Sequence, residues 1–170
     1  MKTDNEKVDD LRPEYDRSDF TTLERGKYVA RITEETNSKT QDFPVFYFET
    51  CFKLKGDIDA LPASYAIITA FATTGETWTE KENRDADAQL AADLDTAQVA
   101  KWRMTGYSPT TGHAEPGWAT PLSAQAACEL GTRYRQHAIY LVDEGILRVM
   151  LCDGGQQAVV GRMGERLQVC

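Results

Sequence analysis

Seven residues without a charge, Tyr65-Ala-Ile-Ile-Thr-Ala-Phe71, stand between Pro62 and Gly75. So short an apolar run, with adjacent β-branched isoleucines, predicts a strand covered on both faces rather than a helix. Two overlapping capping-box patterns follow, Thr77-x-x-Glu80 and Thr79-x-x-Glu82, and mark a helix N-terminus. Beyond them Ala86, Leu90, Ala91, Leu94 and Ala97 recur at three- and four-residue steps. That is the apolar stripe of a helix over about 79–95. A buried strand emptying into a capped helix is where α/β folds tend to place ligands, so the junction is the predicted site region.

The flanking patterns are weaker. Residues 1–26 are charged, with Leu11, Tyr15, Phe20 and Leu23 as sparse apolar points, and read as an arm that docks on the body or frays. Residues 27–33 read as a short strand and 34–42 as a loop. Val45 to Leu54 reads as a strand, with Phe46, Phe48 and Phe52 sharing one face at period two. Lys101 to Tyr107 reads as another, with Trp102 and Met104 facing the same way, before a Gly/Pro/Ser/Thr-rich loop from Gly106 to Pro121. Thr120 as cap and Pro121 in the first turn open a second helix over about 121–134. Strands at His137–Val142 and Ile146–Leu151 flank the turn Asp143-Glu-Gly145. Past Gly154-Gly155, residues 158–169 read as an edge hairpin. The expectation is an α+β fold: a single domain over 27–170, with a mixed sheet of about five to seven strands packed by two principal helices.

Composition narrows the class. A chain of 170 residues with 41% hydrophobic content and three tryptophans can bury a real core and is not a disordered segment. A net charge of −8 argues against a sequence-blind grip on nucleic-acid phosphates. Residues 76–95 hold seven acids against Lys81 and Arg84, which reads as a solvated helix face. Cys51, Cys128, Cys152 and Cys170 are far apart and form no zinc-type pair. With no export-type or membrane-spanning apolar run in view, the expectation is a cytoplasmic protein with reduced, mostly buried thiols. No cofactor is expected, since no Gly-rich phosphate loop or Walker-type lysine motif is present.

The candidate chemistry clusters around the predicted junction. Asn83 and Arg84 fall in the first turns of its helix, where backbone N–H groups favour an anion and an arginine fork can add to them. The structural alternative is that Asn83 ties down the loop and Arg84 pairs with Glu80 or Asp87 at helical spacing. His113 and Glu115, two residues apart in the polar loop, are the candidate catalytic pair for general acid–base work. Beyond Ser108 the pair has no nearby candidate nucleophile. Thr69, Ser108 and Gln136 complete the ligand-binding candidates. Gln136 reaches the junction only if the strand after it runs antiparallel to the central one. If parallel, it serves to satisfy buried backbone groups. His113, Glu115 and His137 match no standard metal spacing, and no metal site is assigned.

Together Tyr65-Ala-Ile-Ile-Thr-Ala70, Glu82-Asn83-Arg84, Gly106, Ser108-Pro109, His113, Glu115 and Gln136-His-Ala-Ile139 resemble the bacterial family catalogued as domain of unknown function 3293, over about residues 45–152. The resemblance implies a small single-domain bacterial or phage protein without an established activity. One departure stands out. Family members commonly follow the threonine–alanine strand with asparagine–proline, and this chain has Phe71-Ala72-Thr73-Thr74, so any contact made by that asparagine is missing or replaced. Pro13-Glu-Tyr-Asp16, Ser18 and Arg25-Gly-Lys27 resemble the opening of short antitoxin-like proteins, a pointer to mobile-element biology. Two functions are therefore expected. One is a regulatory or accessory binding protein, acting through a small anionic ligand or a protein partner, a homodimer through the arm included. The other is a small enzyme working on a nucleotide-like or phosphorylated substrate at His113 and Glu115.

Overall fold

A computed structural model of the chain describes residues 43–73, 75–153 and 155–170. The arm expected over 1–26, the strand over 27–33, the loop over 34–42 and the antitoxin-like stretch lie outside the described residues. Among those described, eight strands form one sheet: β1 (Cys51–Leu54), β2 (Ser64–Thr69), β3 (Trp102–Tyr107), β4 (Ala114–Thr120), β5 (Ala138–Asp143), β6 (Ile146–Leu151), β7 (Gln157–Arg162) and β8 (Leu167–Val169). Their order is β7-β6-β5-β2-β4-β3-β1-β8. Every neighbouring pair is antiparallel except β1 with β8, which is parallel. An α+β fold on one mixed sheet is thus observed, with eight strands rather than five to seven.

The shape of that sheet follows from one connection. β7 and β8 are opposite edges, yet only residues 163–166 separate them in the chain. A flat sheet would hold the two edges roughly 33 Å apart, seven spacings of about 4.8 Å. Five Cα–Cα steps reach roughly 17 Å at full extension. The sheet must therefore roll, and it forms a half-barrel. Arg166 stitches the approaching edges, donating to the Thr50 carbonyl at 3.3 Å and the Val160 carbonyl at 3.5 Å.

Rolling gives the sheet two apolar faces. Inside lie Phe52, Leu54, Tyr65, Ile67, Met104, Ala119, Val142, Leu147, Val149, Ala158 and Val160. On the outer face Ala66, Ile68 and Ile139 meet Leu90 and Leu94 of α2 (Glu80–Thr96), and Ala127 and Cys128 of α3 (Ala124–Arg133). The alternation along β2, with Tyr65 and Ile67 inward and Ala66 and Ile68 outward, is why this strand carries no charge: both of its faces are core. α2 begins as the second capping-box pattern requires. Thr79 Oγ1 accepts from the Glu82 N–H at 3.2 Å, and Glu82 Oε2 accepts from the Thr79 N–H at 2.7 Å. Gly131 lets α3 lie close, because a Cβ there would come within 2.9 Å of Ile139 Cγ2.

Four expectations are corrected. Val45 to Leu54 is not one strand: Phe46–Glu49 form a short helix, α1, and only Cys51–Leu54 join the sheet. Phe48 and Phe52 are four residues apart, a spacing that a helical turn and a strand both place on one side, so periodicity alone misleads. The loop expected over 106–121 contains β4. Its Pro116 lies past the end of the β2 pairing, where no ladder bond to β2 is needed. Gly117 is required there because a Cβ would stand 2.6 Å from the Ile68 carbonyl oxygen. The second helix starts later than Pro121: Ser123 is the cap, accepting from the Ala126 N–H at 3.3 Å, while Thr120 is fully buried at the end of β4. Residues 158–169 form no hairpin, since β7 and β8 take opposite edges.

One polar contact clamps α2 to the sheet. Arg103 of β3 reaches Asp87 through both Nη atoms, at 2.7 and 2.8 Å, with its guanidinium 3.6 Å from the Trp118 ring centroid. Both side chains are partly buried, so the pair is less screened than exposed ion pairs are. Asp87→Ala is expected to lower stability by about 1–3 kcal/mol in urea unfolding. Lys81→Ala, which removes only the exposed pair with Asp85, is expected to leave the midpoint where it was.

Candidate functional site

The end of the half-barrel where β2 leaves the sheet collects the polar side chains. β5 runs antiparallel to β2, which brings Gln136, just before β5, beside the end of β2. Its amide is held on all sides. Oε1 accepts from the Thr69 hydroxyl at 3.0 Å, and Nε2 donates to the Phe71 carbonyl at 2.8 Å and the Tyr134 carbonyl at 3.1 Å. Gln136 therefore does both things weighed for it. It reaches the junction, and it satisfies backbone carbonyls there.

Beside this fixed amide lies a cleft of about 460 Å³, within the size range of small-molecule sites. Pro44, Phe46 and Tyr47 line it. So do Thr132, Arg135, Gln136 and His137 at the end of α3 and its exit, and Leu151, Cys152 and Asp153. α3 ends in a Schellman turn: the Gln136 N–H donates to Gly131 O, the Arg135 N–H donates to Thr132 O, and Arg135 takes φ +59°. That turn puts a guanidinium on the lip, where Arg135 pairs with Glu76.

His113 and Glu115 meet at the same end of the barrel. His113 Nε2 lies 3.0 Å from Glu115 Oε1, and the imidazole stands edge-on to Phe71 with ring centroids 5.7 Å apart. Tyr47 links this pair to the cleft. It lines the cleft, and burial pushes its phenol up to about 12, with the charge of Glu115 adding to the effect. The Tyr140 hydroxyl sits beneath, within reach of the Tyr47 carbonyl at 3.0 Å and Thr50 Oγ1 at 2.8 Å, and burial raises its pKa as well. Burial also pushes the Cys152 thiol on the cleft wall up to about 12, helped by Cys128.

The remaining candidates are placed differently. Asn83 Oδ1 accepts from the Ala72 N–H at 2.8 Å, so it ties down the loop after β2 and shares the Phe71–Ala72 segment with His113. Arg84 is exposed on α2 and pairs with Glu80 at 3.5 Å, away from the cleft lining. Ser108 shapes the β3–β4 turn: its Oγ accepts from the Thr111 N–H at 3.2 Å and its carbonyl from the Gly112 N–H at 2.9 Å. Among the described residues no three His, Cys, Asp or Glu side chains gather to hold a metal. Sequence reasoning passed over Phe46, Tyr47 and Arg135. The available signal was the basic run Arg133-Tyr-Arg-Gln-His137 at the end of a helix.

Residues 68–139 match the model of the family described as Protein of unknown function (DUF3293). This bears out the resemblance over a shorter stretch than 45–152. Those residues run from the end of β2 to the start of β5 and hold Thr69, Asn83, Arg84, Ser108, His113, Glu115 and Gln136. No curated protein and no solved structure matches the chain.

Gln136→Ala would strand the Thr69 hydroxyl and the Phe71 carbonyl, and is expected to cost about 1–3 kcal/mol in urea unfolding. The phenols give a pH prediction. Tyr47 and Tyr65 are both raised from 10.0 to about 12 in the fold, chiefly by burial. The unfolded chain therefore ionises first. Their stabilising share is complete below pH 10 and drains away as pH climbs through about 12. Ultraviolet titration should show their phenolates appearing together with unfolding, and Tyr47→Phe should flatten the alkaline slope of stability.

Proposed function

We propose that the chain is a binding protein whose site is the cleft beside Gln136, taking a small ligand with an anionic group and an apolar or aromatic body. The carrying observation is the make-up of that cleft. Its lining brings the aromatic Phe46 and Tyr47 together with Arg135, His137 and Asp153 and with the Gln136 amide, which three hydrogen bonds already immobilise. Aromatic rings suit a flat apolar group, and a guanidinium suits carboxylate or phosphate. The role that fits is regulatory or accessory, in the bacterial or phage setting to which the family resemblance points.

One observation favours a second reading, a small enzyme: the His113–Glu115 contact at 3.0 Å, whose carboxylate acts electrostatically on Tyr47 of the cleft. A ligand seated in the cleft would bring its far end toward that pair, which could move a proton. A thermal-shift screen against nucleotides, cyclic nucleotides and sugar phosphates tests both. Under the binding reading a ligand at a hundredfold excess over its Kd stabilises by about 2.7 kcal/mol. The shift should vanish in Phe46→Ala and His137→Ala and survive in His113→Ala. A ligand that is chemically altered by wild type but left intact by His113→Ala would transfer the case to the enzyme. A shift indifferent to Phe46 and His137 would remove the cleft from consideration.

A further inference from the structure

Arg135 answers to two neighbours. It lines the cleft, and its Nη2 holds Glu76 Oε1 of the segment between β2 and α2. Its left-handed backbone does not by itself mark a site, because Gln98 ends α2 in the same way at φ +55°. What sets Arg135 apart is how its fork is used. Among the described residues Glu76 takes one nitrogen of a group built for two parallel contacts with carboxylate or phosphate. The arginine side chain is 64% exposed, and water screens a pair of that kind so that it holds weakly. The second oxygen of Glu76 is also engaged, since Oε2 accepts from Trp78 Nε1 at 2.9 Å. Trp78 stands one residue before Thr79, the cap of α2.

We infer that Glu76 is a built-in competitor for the anion site: an anion entering the cleft takes Arg135 from Glu76, and the freed carboxylate, which still accepts from Trp78, changes the charge beside that indole. The inference rests on the proposed reading of the cleft and adds a regulatory consequence to it. Occupancy is reported to the start of α2 through one exchanged ion pair. By reciprocity, anything that draws Glu76 away tightens anion binding.

Phenyl phosphate, an aromatic ring carrying one phosphate, is the probe. Its binding is measured by calorimetry and by tryptophan fluorescence on the full chain and on Glu76→Gln, Arg135→Ala and Trp78→Phe. Glu76→Gln keeps an acceptor for Trp78 but removes the competing charge, and should bind about fivefold more tightly or better. Arg135→Ala should lose binding. Trp78→Phe should bind as wild type does, without the fluorescence change. Thermal unfolding without ligand checks that each variant folds. Binding lost in Arg135→Ala but unchanged in Glu76→Gln would overturn the exchange and leave the anion site standing. Binding equal in wild type and Arg135→Ala, or absent from both wild type and Glu76→Gln, would overturn the site and the exchange together.

Discussion

Four residues between β7 and β8 impose the architecture. Because residues 163–166 cannot reach across a flat eight-stranded sheet, the sheet rolls until its edges approach. The roll turns alternate side chains of every strand into an interior, and leaves the outer face for α2 and α3. It also creates an open end, and an open end exposes the polar groups that flank strand termini. The candidate site is a consequence of closure at one side and incomplete closure at one end.

At that end two demands fall on the same residues. The loop leaving β2 must be pinned, or the strand would fray into the mouth. Asn83 does this from α2 and Gln136 from the opposite side, each bonded to the backbone of Phe71 or Ala72. The asparagine–proline pair expected from the resemblance is absent just here, and Phe71 places its ring against His113. Pinning is expensive in side-chain freedom, but the backbone groups would otherwise be buried without partners. The result is a rigid floor next to a cleft whose lip, Arg135 and His137, is exposed.

Legibility followed the strength of the local physics. β2, α2 and the β5–β6 hairpin could be read because each combines a pattern with its own punctuation: an uncharged apolar run, a capping box, and a Glu-Gly turn with φ of +46° and +80°. β4 was hidden because Pro116 and Gly117 look like loop residues, and only the neighbouring β2 backbone explains why they are tolerated. α1 was hidden because aromatic residues four apart satisfy two geometries. The place of β8 could not be read at all. Its three residues pair in parallel with β1 across more than a hundred residues of chain, and no local signal carries such information. The site shared this limit. Thr69, His113, Glu115 and Gln136 do gather at one end of the barrel, whereas Arg84 and Ser108 are used locally. The aromatic lining lay in the misread segment.

Nucleophiles decide how far the chemistry at this end can be pressed. A catalyst working through His113 and Glu115 by covalent steps would need a thiolate or an activated hydroxyl nearby. Cys152 is on the cleft wall, but burial holds it as the neutral thiol up to about pH 12, and Cys128 behind it is raised in the same direction. Ser108 is spent on its own turn. The Tyr140 hydroxyl is buried beneath α1 and kept protonated by that burial. Among the described residues, the exposed imidazole–carboxylate pair is placed to pass a proton to or from a bound molecule. The same groups that fail as nucleophiles suit contact: the Cys152 thiol, the Tyr47 ring and the satisfied Gln136 amide are uncharged parts of a lining that also holds Arg135 and Asp153. Under the proposed binding reading, the guanidinium of Arg135 supplies the directional term.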